Sequence, residues 1–275
     1  MVRELELELG ATLLERSTRG VRPTPQGRVL VEHARKAVRE LDEAVTQIDQ
    51  LGGRMVGELR IGAVPLAVLL LIPETLRTYG REFPDIQLRV REELYIAQLH
   101  ALREGEVDIV LGPIPEQLPA GEFHVEPLLP IDMAVVVGKG SDRARARTLR
   151  ELGDARWVYT SPSGHTGYAQ LLFTRHGLTP PEPAAMVNST LALLALVAGG
   201  DFVGLMPLRI ARHPGAAAWM TVVPIAEGHL QLTLGAIVRH DALLKPAVRQ
   251  FLTHLHRAAG HAGAGPNLEP DPDLP

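Results

Sequence analysis

The sequence predicts an α/β protein in which a long helix precedes a domain of two lobes, each a sheet covered by helices. Three observations lead there. Between Thr24 and Gly53 the apolar residues recur in alternating steps of four and three, the period of one helix face. From Gly57 to about Ala259 short apolar runs alternate with helical segments, the signature of a mainly parallel sheet. The chain has 275 residues and is 45% hydrophobic, enough for one large domain or two lobes with separate cores.

The long helix opens at Thr24-Pro25, a hydroxyl cap followed by a first-turn proline whose missing amide hydrogen the helix would not use. Its apolar residues Leu30, Ala34, Ala37, Leu41, Ala44, Ile48 and Leu51 form a narrow seam suited to pairing with a second helix. A solvated helix lying along its own domain is the alternative. Gly52-Gly53 ends it. Strands are then expected at Glu58–Ala63, Ile86–Glu92, Val107–Gly112, His124–Leu129 and Ala134–Gly138, with helices at Pro65–Phe83 and Ile96–Arg103. Trp157–Thr160 opens a second lobe, followed by helix Thr166–His176, strand Ala184–Val187, helix Thr190–Gly199 and strands Phe202–Met206, Trp219–Ile225 and Gln231–Arg239. The last of these returns the chain to the first lobe, where Lys245–Ala259 packs as a terminal helix. Residues 263–275, almost wholly Gly, Ala, Pro and acids, read as a disordered tail. Two lobes joined by crossing strands enclose a cleft, because open α/β sheets bind ligands beyond the carboxyl ends of their strands.

A formal charge of -4 gives no global basic field, so nucleic-acid binding would rest on a local patch such as Arg16, Arg19 and Arg22. The absence of cysteine excludes disulfides and thiolate metal sites. Arg3, Glu4, Glu6 and Glu8 interrupt what a signal peptide would need as an apolar segment. No run reaches the roughly 20 apolar residues of a membrane span. A cytoplasmic protein without membrane contact is the expectation.

The first residues carry more specific information. Val2-Arg3-Glu4-Leu5-Glu6, Leu9-Gly10-Ala11-Thr12-Leu13-Leu14-Glu15-Arg16 and Gly20-Val21-Arg22-Pro23-Thr24-Pro25-Gln26-Gly27 resemble the back half of the winged DNA-binding domain of LysR-type transcriptional regulators. Leu14 stands where that pattern usually has Phe. Further motifs follow in the family's order: Gly57-Glu58-Leu59-Arg60-Ile61-Gly62, Phe83-Pro84-Asp85-Ile86, Gly105-Glu106-Val107-Asp108-Ile109 and Gly204-Leu205-Met206-Pro207. Each is weak alone, but their order and spacing after a wing and linker helix are specific. The resemblance implies a partial winged helix-turn-helix at 1–23, a linker and dimerisation helix at 24–53 and an effector-binding domain at 57–259. That domain is similar to type 2 periplasmic binding proteins, with one lobe at about 57–137 and 240–259 and the other at about 138–239. It also implies that the rest of the helix-turn-helix lies upstream of the residues given, and that the chain works as a dimer or a tetramer.

Ligand contacts are expected just after the strands, where free helix amides and hydroxyls can hold a polar group. Thr160-Ser161-Pro162-Ser163-Gly164-His165-Thr166 is the foremost segment, with Ser161, Ser163, His165 and Thr166 able to nest an anion. Val64 and Pro65 follow the first strand, where family members often have a hydroxyl residue and this chain has none. Tyr95 offers a ring face and a phenol, or sits on a rim. Ser189 either caps its helix or meets the ligand, and Ile114 and Met206 would supply apolar walls. These loops suggest a small organic anion with an apolar or aromatic body. Arg16, Arg19 and Arg22 would contact DNA phosphates, or serve as ordinary turn charges, while Arg3 is the residual candidate on the recognition helix.

Enzyme readings fare worse. The sequence has no HExxH, nucleophile elbow or phosphate loop, and His254 and His256, two residues apart, point to different helix faces. No catalytic residue, metal or cofactor is expected. The reading is a LysR-type regulator that senses a small effector. The rivals are a sensor module that has lost specific DNA binding, a solute-binding protein, and an enzyme on the same fold.

Overall fold

The computed structural model describes residues 2–17, 20–93, 95–116, 118–119, 121–160, 167–240 and 245–264. The chain divides into two compact units, Met1–Val56 and Gly57–Pro275.

The first unit comprises helix α1 (Val2–Leu9), a hairpin of β1 (Leu14–Ser17) and β2 (Gly20–Pro23), and the 27-residue helix α2 (Pro25–Leu51). Side-chain to main-chain bonds tie these short elements together. Glu6 on α1 accepts the Leu13 amide at 2.7 Å and the Leu14 amide at 3.1 Å, fixing the entry to the hairpin. The Thr24 hydroxyl accepts the Gly27 amide at 2.9 Å as the cap of α2 and donates to Thr12 O at 2.7 Å. The hairpin backbone crosses so near the first turn of α2 that a Cβ at Gly27 would lie 2.0 Å from Leu13 O, which leaves room only for glycine. Along α2, Leu41, Val45, Ile48 and Leu51 are 63–70% exposed. Val38 and Val45 flank the expected seam, so the bare apolar stripe is broader than its alanines alone suggest.

The second unit is built on a nine-stranded sheet, with strands β3 (Gly57–Ala63), β4 (Ile86–Glu92), β5 (Ile109–Pro113), β6 (Phe123–Gly138), β7 (Arg156–Thr160), β8 (Pro183–Val187), β9 (Phe202–Pro207), β10 (Met220–Val222) and β11 (Leu230–Arg239). Its order is β4-β3-β5-β11-β6-β9-β7-β8, with β10 on β6. Strands β4, β3 and β5 are parallel and form one lobe; β9, β7 and β8 are parallel and form the other. The long antiparallel pair β6–β11 runs through both. Helices α3 (Pro65–Leu70), α4 (Ile72–Glu82), α5 (Tyr95–Arg103) and α10 (Pro246–Ala264) belong to the first lobe. The second carries α6 (Tyr168–Arg175), α7 (Thr190–Gly199), α8 (Leu208–Ala211) and α9 (Pro214–Ala217).

In the second lobe the two-residue period of a strand separates two cores. Val135, Val137, Trp157, Tyr159, Val203 and Leu205 face one side, against Leu172 and Phe173 of α6. Val136, Val158 and Met206 face the other, against Leu193 and Val197 of α7. The buried Trp157 indole donates to Leu152 O at 2.8 Å. In the first lobe, Tyr79 of α4 sits edge-on to Phe251 and His254 of α10 and donates its hydroxyl to Ala247 O at 3.1 Å. Burial pushes the Tyr79 phenol well above its ordinary range. Beneath these helices Asp108, 5% exposed, accepts from Arg60 and, at 3.1 Å, from Lys245 Nζ.

Three elements depart from the sequence expectations. The helix expected over Pro65–Phe83 is two helices, because Pro73 in the first turn of α4 has no amide to continue α3 and its ring would strike the carbonyl four residues back. The two strands expected at His124–Leu129 and Ala134–Gly138 are one strand, β6, running through Pro127 and Pro130. That stretch pairs with β11 alone among the described residues, and a proline is tolerated where one strand edge makes no ladder bond. Helix α10 continues to Ala264, so 263 and 264 are helical and not part of a tail. No described helix is long and apolar enough to cross a membrane.

Candidate functional site

The parallel strands of each lobe deliver candidate residues from their carboxyl ends. In the first lobe β3 and β5 lie side by side, with Ala63 opposite Leu111, so Val64 and Pro65 emerge next to the segment carrying Ile114. The Val64 amide donates to Leu111 O at 2.9 Å, which fixes this corner. Ile114 donates its amide to Thr233 O of β11 at 2.8 Å and lays its side chain across Gly235. A Cβ at Gly235 would fall 2.6 Å from Ile114 Cδ1 and 2.9 Å from Glu126 O. At the same place β11 shifts register against β6, between Leu234 and Gly235, so a bulge marks where the strand pair passes between lobes.

In the second lobe β7 and β8 run parallel, with Thr160 opposite Val187, and Ser189 caps α7 by accepting the Ala192 amide at 3.4 Å. The capping role weighed for Ser189 is thus occupied by a long, weak bond that leaves the hydroxyl hydrogen free to donate. Met206 is 1% exposed and packed among Val136, Val158 and Leu193, so it fills a core instead of lining a wall. The strand period explains the correction: the alternate residue Leu205 faces the other core, and both sides of β9 are covered. Tyr95 begins α5, and its side chain lies outside the described set. Ser161, Ser163, His165 and Thr166 lie outside the described residues altogether.

Two groups near these strand ends were not singled out from the sequence. Gln98 of α5 is buried, donates Nε2 to Glu93 O at 2.6 Å and turns Oε1 toward Gly62, where it has no hydrogen-bond partner. Such a group calls for a donor, from water or ligand. Its signal in the sequence was a lone amide among the apolar residues of a helix. Arg175, in the last turn of α6, reaches across to Glu116, two residues beyond Ile114, with Nη2–Oε1 at 2.7 Å. That contact joins the two lobes directly. Just before β11, His229 is held below its usual value by burial; Asp132 pulls it up and Arg212 pushes it down.

In the first unit, Arg3 on α1 and Arg22 on β2 are exposed, and Arg22 stands opposite Glu15 in the hairpin register. Arg16 lies on β1 with its side chain outside the described set, and Arg19 lies outside the described residues. Among the described residues no cluster of three or more His, Asp or Glu could hold a metal ion. His254 is buried and bonded to Thr78 at 2.9 Å, while His256 turns to Glu126.

A helix and hairpin leading into a long helix, followed by two lobes strung on a crossed strand pair, define a regulator with separate DNA-binding and small-molecule-binding parts. The family model for the LysR substrate binding domain matches residues 52–260, and that for bacterial regulatory helix-turn-helix proteins of the lysR family matches residues 1–28. The chain belongs to the LysR family of transcriptional regulators. It is 28% identical to the HTH-type transcriptional regulator GbpR of Azospirillum brasilense over 93% of this chain and 76% of that protein. It is 30% identical to the uncharacterized regulator YnfL of Escherichia coli (strain K12), over 94% of this chain and 87% of that protein. Among solved structures, full-length CbnR complexed with its target DNA superimposes with a TM-score of 0.68 at 20% identity, covering 94% of this chain and 88% of CbnR. The regulatory domain of CcmR from Synechocystis PCC6803, in complex with 2-PG, gives 0.64 at 19% identity, covering 74% of this chain and 97% of that domain. These structures share the fold, and the similar proteins are transcriptional regulators, not enzymes.

Proposed function

We propose that this regulator senses a small organic anion with an apolar or aromatic body in the cleft between its lobes and passes the binding event to operator DNA. The observation that carries the reading is the convergence of strand ends: apolar Val64, Pro65 and Ile114 from the first lobe, and the Ser189 hydroxyl and the 161–166 segment from the second. The apolar residues would hold the ligand body, and Ser161, Ser163, His165 and Thr166 would hold its charge. CcmR's regulatory domain, solved with 2-PG, supports a small-molecule role for this domain, and CbnR with its target DNA supports DNA binding by the first unit. Arg3, Arg16, Arg19 and Arg22 are then the DNA-facing residues, and the bare stripe of α2 pairs two copies into a homodimer or the dimers of a tetramer. Acting on operators places its work in the cytoplasm. The ligand acts only through its different affinity for two arrangements of the lobes.

The test is a thermal-shift and Trp-fluorescence screen of benzoate, salicylate, pyruvate and 2-phosphoglycolate. A bound anion at 100 times its Kd stabilises the fold by about 2.7 kcal/mol. A Ser189→Ala or Ile114→Ala variant that stays folded should weaken that shift. If no anion shifts the transition and neutral apolar compounds do, the anionic class is wrong. The second reading, a sensor module without specific operator recognition, predicts ligand binding with DNA affinity that is sequence-independent and lost at moderate salt.

A further inference from the structure

Both lobes contribute one charge to a contact that the strand pairing does not require. Glu116 lies on the segment leaving β5 of the first lobe, and Arg175 lies on the last turn of α6, whose Leu172 and Phe173 are set in the core of the second. Arg175 Nη2 is 2.7 Å from Glu116 Oε1, and its Nη1 is 3.5 Å from Gln231 O on β11. Their side chains are 41% and 70% exposed, so neither residue fills a core. The strand pair beside them changes register at Gly235, so the lobes are strung on a hinge at the β11 bulge and tied at one outer point.

We infer that Glu116 and Arg175 form a latch that holds the lobes in the arrangement seen here, with both serving as positioning residues for the cleft walls. Glu116 fixes the segment that carries Ile114, and Arg175 fixes the end of α6 against it. The latch gives the unliganded protein a bias toward one lobe arrangement, and a ligand preferring another arrangement works against that bias. An exposed pair of this kind changes a population ratio by only about two- to fivefold. A bias of that size tunes the response without blocking it. The use of the latch rests on the reading of the cleft as the effector site, but its existence is tested with no ligand present.

The chain contains no cysteine, so paired labels can be placed at will. Spin labels at Arg81→Cys on α4 and Arg150→Cys in the second lobe, in full-length protein diluted with unlabelled chain, report the interlobe distance by double electron–electron resonance. Glu116→Arg and Arg175→Glu should each broaden or shift the distance distribution, and Glu116→Arg combined with Arg175→Glu should restore it. High salt should reproduce a weaker form of the single-variant change. If both single variants are folded by circular dichroism and leave the distribution unchanged, or if the charge swap fails to restore it, the latch does not exist. Failure of the anion screen with a positive result here would overturn the effector reading and leave the latch standing.

Discussion

Asp108 accepts three bonds from Arg60, 48 residues earlier in the chain: from the main-chain amide at 2.9 Å, from Nε at 3.1 Å and from Nη2 at 3.0 Å. Lys245, at the head of α10, adds a fourth. One buried carboxylate thereby joins β3, the start of β5 and the terminal helix.

Asp108→Asn should therefore destabilise the second unit by about 3–5 kcal/mol, because it leaves two cations facing a neutral amide in a buried site. Burial acts to raise the Asp108 value, but the Arg60 bonds and the Lys245 and Arg60 charges prevail and hold it below its ordinary 3.8. A carboxylate with a depressed folded value stabilises fully above its unfolded value and loses that contribution as pH falls through the folded one. Urea midpoints measured from pH 7 down through pH 4 and below should show an acid-induced loss in the parent protein. That component should be missing in Asp108→Asn.

Gly235→Ala should cost about 1–3 kcal/mol by overpacking, since the new methyl meets Ile114 and the Glu126 carbonyl. Combining it with Ile114→Ala should recover part of the loss, because the side-chain clash disappears while the carbonyl remains. Denaturation of the four proteins in this cycle would expose the coupling; strictly additive costs would mean that the two residues do not touch.

Tyr79→Phe removes the bond to Ala247 O while keeping the ring against Phe251 and His254. The expected cost is about 1 kcal/mol. Phe251→Ala, which empties the same cluster, should cost about 3–5 kcal/mol. Equal losses from the two would contradict the packing of α4 on α10.

Leu41→Glu with Ile48→Glu places two charges in the apolar stripe of α2. If that stripe pairs copies of the chain, light scattering behind size exclusion should show a shift to smaller species with helix content largely retained. An unchanged mass would locate the pairing elsewhere.

The local parts of this fold were legible in the sequence. Strand β4 lies where the alternation in Ile86–Glu92 places it, and Thr24-Pro25 and Gly52-Gly53 bracket α2 as their cap chemistry requires. Prolines misled in opposite directions: Pro73 split a helix that periodicity made continuous, while Pro127 and Pro130 failed to split a strand. The difference is whether the backbone at that point needs the lost amide. The site was legible only as loops after strands. Val64 and Ile114 are neighbours because β3 and β5 pair, and Met206 is a core residue because both faces of β9 are covered. The Arg60–Asp108 and Glu116–Arg175 contacts span 48 and 59 residues, and nothing in local spacing announces them.

Strand β6 gives its first half to the ladder of one lobe and its second half to the other. Neither lobe can come apart alone without baring half of a strand that its neighbour still needs, and an unpaired strand edge in water invites other chains to pair with it. Residues Gly57 onward should therefore melt as a single cooperative unit, with coincident far-ultraviolet and Trp157 fluorescence transitions. A substitution that loosens one lobe should weaken hydrogen-exchange protection in both.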